Sequence, residues 1–172
     1  MVKLKINKFC TFTAKKLIFI FLLLLLLVCY QDFKERMVYE WVLYALIGIG
    51  ALGYLQRTSW IVYGWNILIN ASVLLFIMGV LWGYSKWRME IELAEGLGKG
   101  DVLFFIMMAV SFPNSSFLPL FVFSTLFSLL VFLVLKPSLT DNRVPLAGLQ
   151  AGFLFIFLCV NLAFDIINVY AN

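Results

Sequence analysis

Trp60 to Trp82 runs without one charged residue, bounded by Arg57 on one side and Lys86 on the other. A bilayer core about 30 Å thick takes roughly 20 helical residues, so this run suits a span. It has company: 17–30, 41–55, 102–112, 117–135 and 146–170 are also strongly apolar. In the whole chain 64% of residues are hydrophobic and 13% charged, and the mean hydropathy is +1.03. Soluble domains carry about 45–50% apolar and roughly 25% charged residues. Within lipid, a helix satisfies its own backbone polar groups. The expectation is an all-α integral membrane protein, a bundle of about six transmembrane helices at 17–172, preceded by a basic tail at 1–16.

The tail carries Lys3, Lys5, Lys8, Lys15 and Lys16 ahead of an apolar run, as a signal peptide would. That run ends in Leu27-Val28-Cys29-Tyr30-Gln31, without the small residues a signal peptidase needs, so it reads as a retained helix. Trp60, Trp82, Tyr84 and Trp87 flank the third run as interface-seeking aromatics do. The run at 102–112 stops at Pro113-Asn114-Ser115-Ser116. About 11 helical residues reach some 17 Å, too short to cross. Either the turn completes the crossing or the piece is a half-helix sheltered in the bundle. Cys10, Cys29 and Cys159 are far apart and histidine is absent. This composition argues against a zinc site, a disulfide framework or haem; no metal or cofactor is expected, and no nucleic acid partner.

Two acids stand where apolar runs begin or end. Asp101 follows Gly98-Lys99-Gly100 at the head of the fourth run, and Asp32 closes the first. Carboxylates are costly near lipid, so acids there point to function. If Asp32 marks the exit of helix 1, helices 2 and 3 cross and return, and helix 4 starts on the same face. The two aspartates then share one side. Seven basic residues lie on that side (Lys34, Arg36, Lys86, Arg88, Lys99, Lys136 and Arg143), against Arg57 on the other. That bias favours a cytoplasmic aspartate face; the five tail lysines dissent.

Each feature also has a plainer reading. Asp101 suits an ordinary helix N-cap, and Asp32 opens a charged stretch suited to a solvated loop. Glu90, Glu92 and Glu95 read as a surface face, with a basic substrate leader as the alternative. Asp165, near Asn161 and Asn168, reads as a bundle or interface residue, and Asp141 as a loop residue. Gly48, Gly50 and Gly53, with Ala45, read as allowing close helix packing.

Asp32 followed by basic residues and Val38, then Gly98-Lys99-Gly100-Asp101 heading helix 4, resembles the type IV prepilin peptidase family of GxGD membrane proteases. Arg143-Val144-Pro145-Leu146-Ala147-Gly148 resembles the start of that family's last helix. The resemblance implies an aspartic endopeptidase with Asp32 and Asp101 as the catalytic pair and Gly98 and Gly100 admitting the substrate backbone. Its substrate would be a prepilin-like precursor with a basic leader, cut at the cytoplasmic face of the inner membrane. The chain departs from the family pattern at Tyr39 and Glu40, where proline and asparagine are usual, and at Leu103, where lysine is common. Paired CxxC motifs are missing, so no methyltransferase activity is expected. Two readings from other classes compete: a non-catalytic assembly factor of the same fold, and a small ion- or proton-coupled transporter.

Overall fold

The computed structural model describes residues 2–35, 37–89, 98–135, 146–164 and 169–170. Six α-helices follow one another: α1 (Val2–Glu35), α2 (Glu40–Leu55), α3 (Trp60–Tyr84), α4 (Lys99–Ser111), α5 (Asn114–Leu135) and α6 (Leu146–Phe164). A π-helical turn, Ser85–Met89, prolongs α3. Among the described residues there is no strand. Four segments are long and apolar enough to cross a membrane: Lys16–Glu35, Trp60–Trp87, Asn114–Val134 and Leu146–Phe164. The α2 helix, with 16 residues, is shorter, and α4 has only 13.

The short α4 packs inside the bundle, and Phe112 just past its end stacks on the Tyr170 ring. Its C-terminal turn is buried, with Phe112 0% and Ser111 1% exposed. A helix end leaves carbonyls without intrahelical partners, and in an apolar interior these need donors. Asn70 of α3 supplies them, donating from Nδ2 to the carbonyls of Ala109 at 2.8 Å and Phe112 at 2.9 Å. One turn earlier on α3, Asn66 accepts from the Asn114 amide at 3.4 Å and donates to the Tyr54 hydroxyl at 2.7 Å. Two asparagines inside an apolar span thus make the α4–α5 turn tolerable.

Burial follows helical spacing. On α1 the buried side chains are Phe21, Leu22, Leu25, Val28 and Asp32, while Phe33, Lys34 and Glu35 are exposed. Positions 21, 25, 28 and 32 recur at steps of four, three and four, so Asp32 continues an apolar stripe into the core. The same spacing places Asp101 of α4 above buried Phe105 and Met108. Glycines bring α1 and α6 together: a Cβ on Gly148 would lie 2.6 Å from the Asp32 Cβ, and one on Gly152 would lie 3.3 Å from the Cys29 sulfur. Of the three α2 glycines expected to serve packing, Gly50 does so, against Ser111 and Phe21. Gly48 and Gly53 instead face open space, with nothing within 4 Å of an added Cβ.

At the end away from Asp32, the Arg57 guanidinium lies 3.9 Å from the Tyr170 ring centroid. Ser116 donates to the Val169 carbonyl at 2.7 Å. These contacts tie the C-terminal turn to the α2–α3 turn and to the first turn of α5. Trp60 at one end of α3 and Trp82, Tyr84 and Trp87 at the other are exposed, as interface aromatics should be.

Candidate active site

Three helix ends converge where α1 finishes and α4 and α6 begin. Asp32 contributes from the last turn of α1 and Asp101 from the first turn of α4. The first turn of α6 contributes no side-chain chemistry, only its backbone. The first amides of a helix have no intrahelical acceptor and lie at the positive end of its dipole, so they favour anions. Here the Gly148 amide donates to Asp32 Oδ2 at 2.5 Å, and the Ala147 amide donates to Asp101 Oδ1 at 2.8 Å. Two carboxylates far apart in sequence are held by neighbouring donors.

Gly98 is the N-cap of α4, with φ −67° and ψ 151°. Asp101 is therefore the third helical residue and not the cap that a plainer reading of the motif expects. It reaches back to the cap, accepting the Gly98 amide on Oδ2 at 3.1 Å. An ordinary capping interaction would stop there. Asp101 turns its other oxygen across to α6 as well.

The two motif glycines differ. Gly98 is exposed and beside the carboxylate, with its virtual Cβ 3.3 Å from Asp101 Oδ2. Gly100 is turned towards Val38 and Leu43, at the ordinary contact distances of 3.8 and 4.0 Å. Glu90, Glu92 and Glu95, with Arg143, Val144, Pro145, Asp141, Asp165 and Asn168, lie outside the described residues.

The departures from the family pattern have local explanations. Tyr39 precedes α2 at φ −65°, the value a proline ring would impose, so the backbone there needs no proline. Glu40 opens α2, where a negative side chain meets the positive helix end. Leu103 packs against the hydrophobic core.

Asp101 lies outside the four spanning segments. Burial pushes its carboxyl up; the Gly98 and Ala147 amides pull it back down, and the Asp32 carboxylate pushes it up again, leaving it at about 6. A pair that keeps one proton through mildly acidic pH has the equipment for acid and base work together. Among the described residues no three His, Cys, Asp or Glu side chains gather in a group that could hold a metal ion.

Sequence reasoning misses the two amides of α6, because a backbone donor has no residue type. The available signal is the placement of two small residues, Ala147 and Gly148, just after Pro145 at a helix start. Asn66 and Asn70 also pass unnoticed, looking like incidental polar residues in a long span.

A family model described as the type IV leader peptidase family matches residues 19–134. The matched stretch contains Asp32 and the whole of Gly98–Asp101, while the amides that hold both carboxylates come from beyond it. The comparisons with curated proteins and with solved structures returned no match.

Proposed function

The chain belongs to the type IV leader peptidase family, and from that premise we propose that it is a membrane aspartic endopeptidase with Asp32 and Asp101 as its working pair. Its substrate is a prepilin-like precursor, a short basic leader joined to an apolar helix, cut at the cytoplasmic face of the inner membrane. The observation that carries this reading is the anchoring of both carboxylates on consecutive α6 amides. A structural cap needs one acid, whereas hydrolysis needs two that share a proton. One carboxylate draws a proton from water, and the water oxygen attacks the scissile carbonyl. The other protonates the carbonyl oxygen. No metal or cofactor enters these steps.

The membrane setting fits such a substrate. Its apolar helix stays in the bilayer while its leader remains in water, so the scissile bond lies at the boundary where α1 ends and α4 begins. A basic leader also suits the carboxylate pair, and Glu90, Glu92 and Glu95 are candidate leader contacts.

The test is direct. The protein in lipid nanodiscs is incubated with a precursor bearing a basic leader, and the shortened product is identified by its mass. Cleavage that disappears in Asp32→Asn and in Asp101→Asn supports the reading. Cleavage persisting in either variant removes the pair. An intact chain that cleaves no leader peptide, yet is needed for pilus or secretion-system assembly, would instead be an assembly factor of this fold.

A further inference from the structure

Around α4, with its 3.6 residues per turn, most directions are taken by a neighbour. Gly100 and Ser111 face α2, at Val38, Leu43 and Gly50. Asp101 reaches α6 through the Ala147 amide. Phe105 meets Phe121 of α5 edge-on, with ring centroids 5.0 Å apart. Val102 and Ile106 fall in the arc that remains, between the α5 and α2 sides. There Val102 is half-buried and Ile106 is 38% exposed.

The helix that meets α4 lower down is α3, joined to it by the Asn70 bonds to the Ala109 and Phe112 carbonyls. From there towards Asp101, α3 loosens. Its buried side chains are Tyr63, Asn66, Asn70 and Leu74, and beyond Leu74 none is buried among the described residues. Ile77 and Met78 still pack partly on the core, but Leu81, next on the same face, is 38% exposed. The α3–α4 cleft is therefore closed at Asn70 and open towards Asp101, with apolar walls. An apolar face in lipid needs no cover, so exposure alone asks for no partner. What distinguishes this cleft is its continuity with the carboxylate pair. Val102 directly follows Asp101, and Ile106 lies about 7.5 Å further along the helix.

We propose that this cleft seats the first two turns of the precursor's apolar helix and so presents the bond that precedes them to the pair. The occupant follows from the peptidase reading above, on which this inference rests. A precursor whose apolar helix starts just after the scissile bond brings that helix alongside Asp101 within the bilayer. On the α2, α5 and α6 sides the contacts just described already occupy α4. From Asp101 to Ala109, about eight residues of α4 rise about 12 Å, the height of some two turns of a partner helix. Below that the Asn70 bonds close the cleft, and the rest of the substrate helix lies in lipid. Val102, Ile106 and Leu81 offer no side-chain hydrogen bond, so the cleft suits a helix that satisfies its own backbone and disfavours an extended segment.

The test places the photo-crosslinking residue p-benzoylphenylalanine at Ile106 or at Leu81 of the full-length Asp101→Asn variant in nanodiscs, where the precursor stays uncleaved. Leu26 of α1 and Ile156 of α6, 52% and 57% exposed, serve as controls on other faces of the bundle. The precursor should cross-link from Ile106 and Leu81 and not from the controls, with the linked residues in its first two apolar turns by mass spectrometry. In the otherwise unmodified protein, Ile106→Trp fills the cleft. It should raise KM for the precursor about tenfold and leave kcat nearly unchanged, as loss of uniform binding does. Ile106→Leu should stay near the parent. A merely structural role would lower kcat and protein amount and leave KM alone.

Precursor cross-links from Leu26 or Ile156 as strong as those from Ile106 overturn the inference. So do links from Ile106 and Leu81 to lipid or to a second copy of the chain in place of the precursor, and so does a parental KM for Ile106→Trp. The peptidase reading fails separately, when an Asp→Asn variant cleaves. Cross-links in the wrong place, with cleavage by the unmodified protein intact, remove this inference alone. The kinetic arm keeps the test decisive if a cross-linking variant fails to accumulate.

Discussion

Asp32 and Asp101 come from two separate helices that both precede α6 in the chain, α1 and α4, yet accept hydrogen bonds from its consecutive residues Gly148 and Ala147. The distance between the two carboxylates is therefore set by one turn of one helix, which is far stiffer than a loop. Any change that rotates or shifts that turn moves both acids together.

The first prediction concerns the acids themselves. Asp32→Asn and Asp101→Asn should each abolish detectable precursor cleavage while the protein accumulates in the membrane at near-normal amount. Asparagine keeps size and polarity but cannot take up or release the proton that hydrolysis requires. Quantitative immunoblotting of membranes alongside the cleavage assay separates lost chemistry from lost protein.

A pH profile tests the coupling. A carboxyl whose pKa is raised keeps its proton to higher pH, so the pair retains one proton until its last ionisation, at about 6. Lipid around the bundle adds desolvation and moves that step further up. The cleavage rate should rise with pH as the first carboxylate ionises, then fall above the last ionisation, giving two limbs. A rate that climbs through the ordinary carboxylate range near 4 and stays level to pH 9 would mean that no proton has to be kept.

Much of this site can be read from the residues. Apolar runs set the helices, and counting crossings brings Asp32 and Asp101 to one end. The Asp32 stripe at 21, 25, 28 and 32 is visible to anyone who counts by threes and fours. What stays hidden is backbone chemistry. The amides of Ala147 and Gly148 act through no side chain, and a motif search rewards the glycines of Gly98–Asp101 instead. Gly50 and Gly53 look alike in sequence. Only the position of Ser111 tells that the first meets a neighbour and the second does not.

That distinction gives a paired substitution. Gly50→Val should lower the amount of folded protein, because its side chain must displace Ser111, whose own Cβ would lie 2.8 Å from the new Cβ. Gly53→Val should accumulate and cleave like the parent, its side chain entering open space. Membrane abundance and thermal unfolding in detergent read the difference.

Asn70 carries a stability prediction. Asn70→Leu keeps bulk but withdraws the donor from the Ala109 and Phe112 carbonyls, both at a buried helix end. Leaving a buried acceptor unsatisfied costs about 1–3 kcal/mol. A lower unfolding midpoint is expected, with cleavage per folded molecule falling much less than for either aspartate variant. An unchanged midpoint would mean that water or other groups satisfy those carbonyls.

Gly148→Ala is the sharpest single test of the α6 anchor. The added methyl carbon would sit 2.6 Å from the Asp32 Cβ and 2.7 Å from its Oδ2. Such contacts are too short to exist, so either Asp32 swings away or α1 and α6 separate. The substitution is otherwise mild, since alanine is the best helix former and α6 would gain propensity. A displacement of about 1 Å at a reacting group can cost on the order of 100-fold in rate. We therefore expect a loss of that order in cleavage per folded molecule, together with a lower unfolding midpoint, because the clash is with the Asp32 Cβ and not with the end of a flexible side chain. The control is Gly100→Ala in the motif itself, where the new carbon meets Val38 and Leu43 at the ordinary distances of 3.8 and 4.0 Å. It should retain most activity. If Gly148→Ala cleaves normally while Gly100→Ala is inactive, the α4 glycines govern the site and the α6 amides are only a helix end that happens to lie nearby.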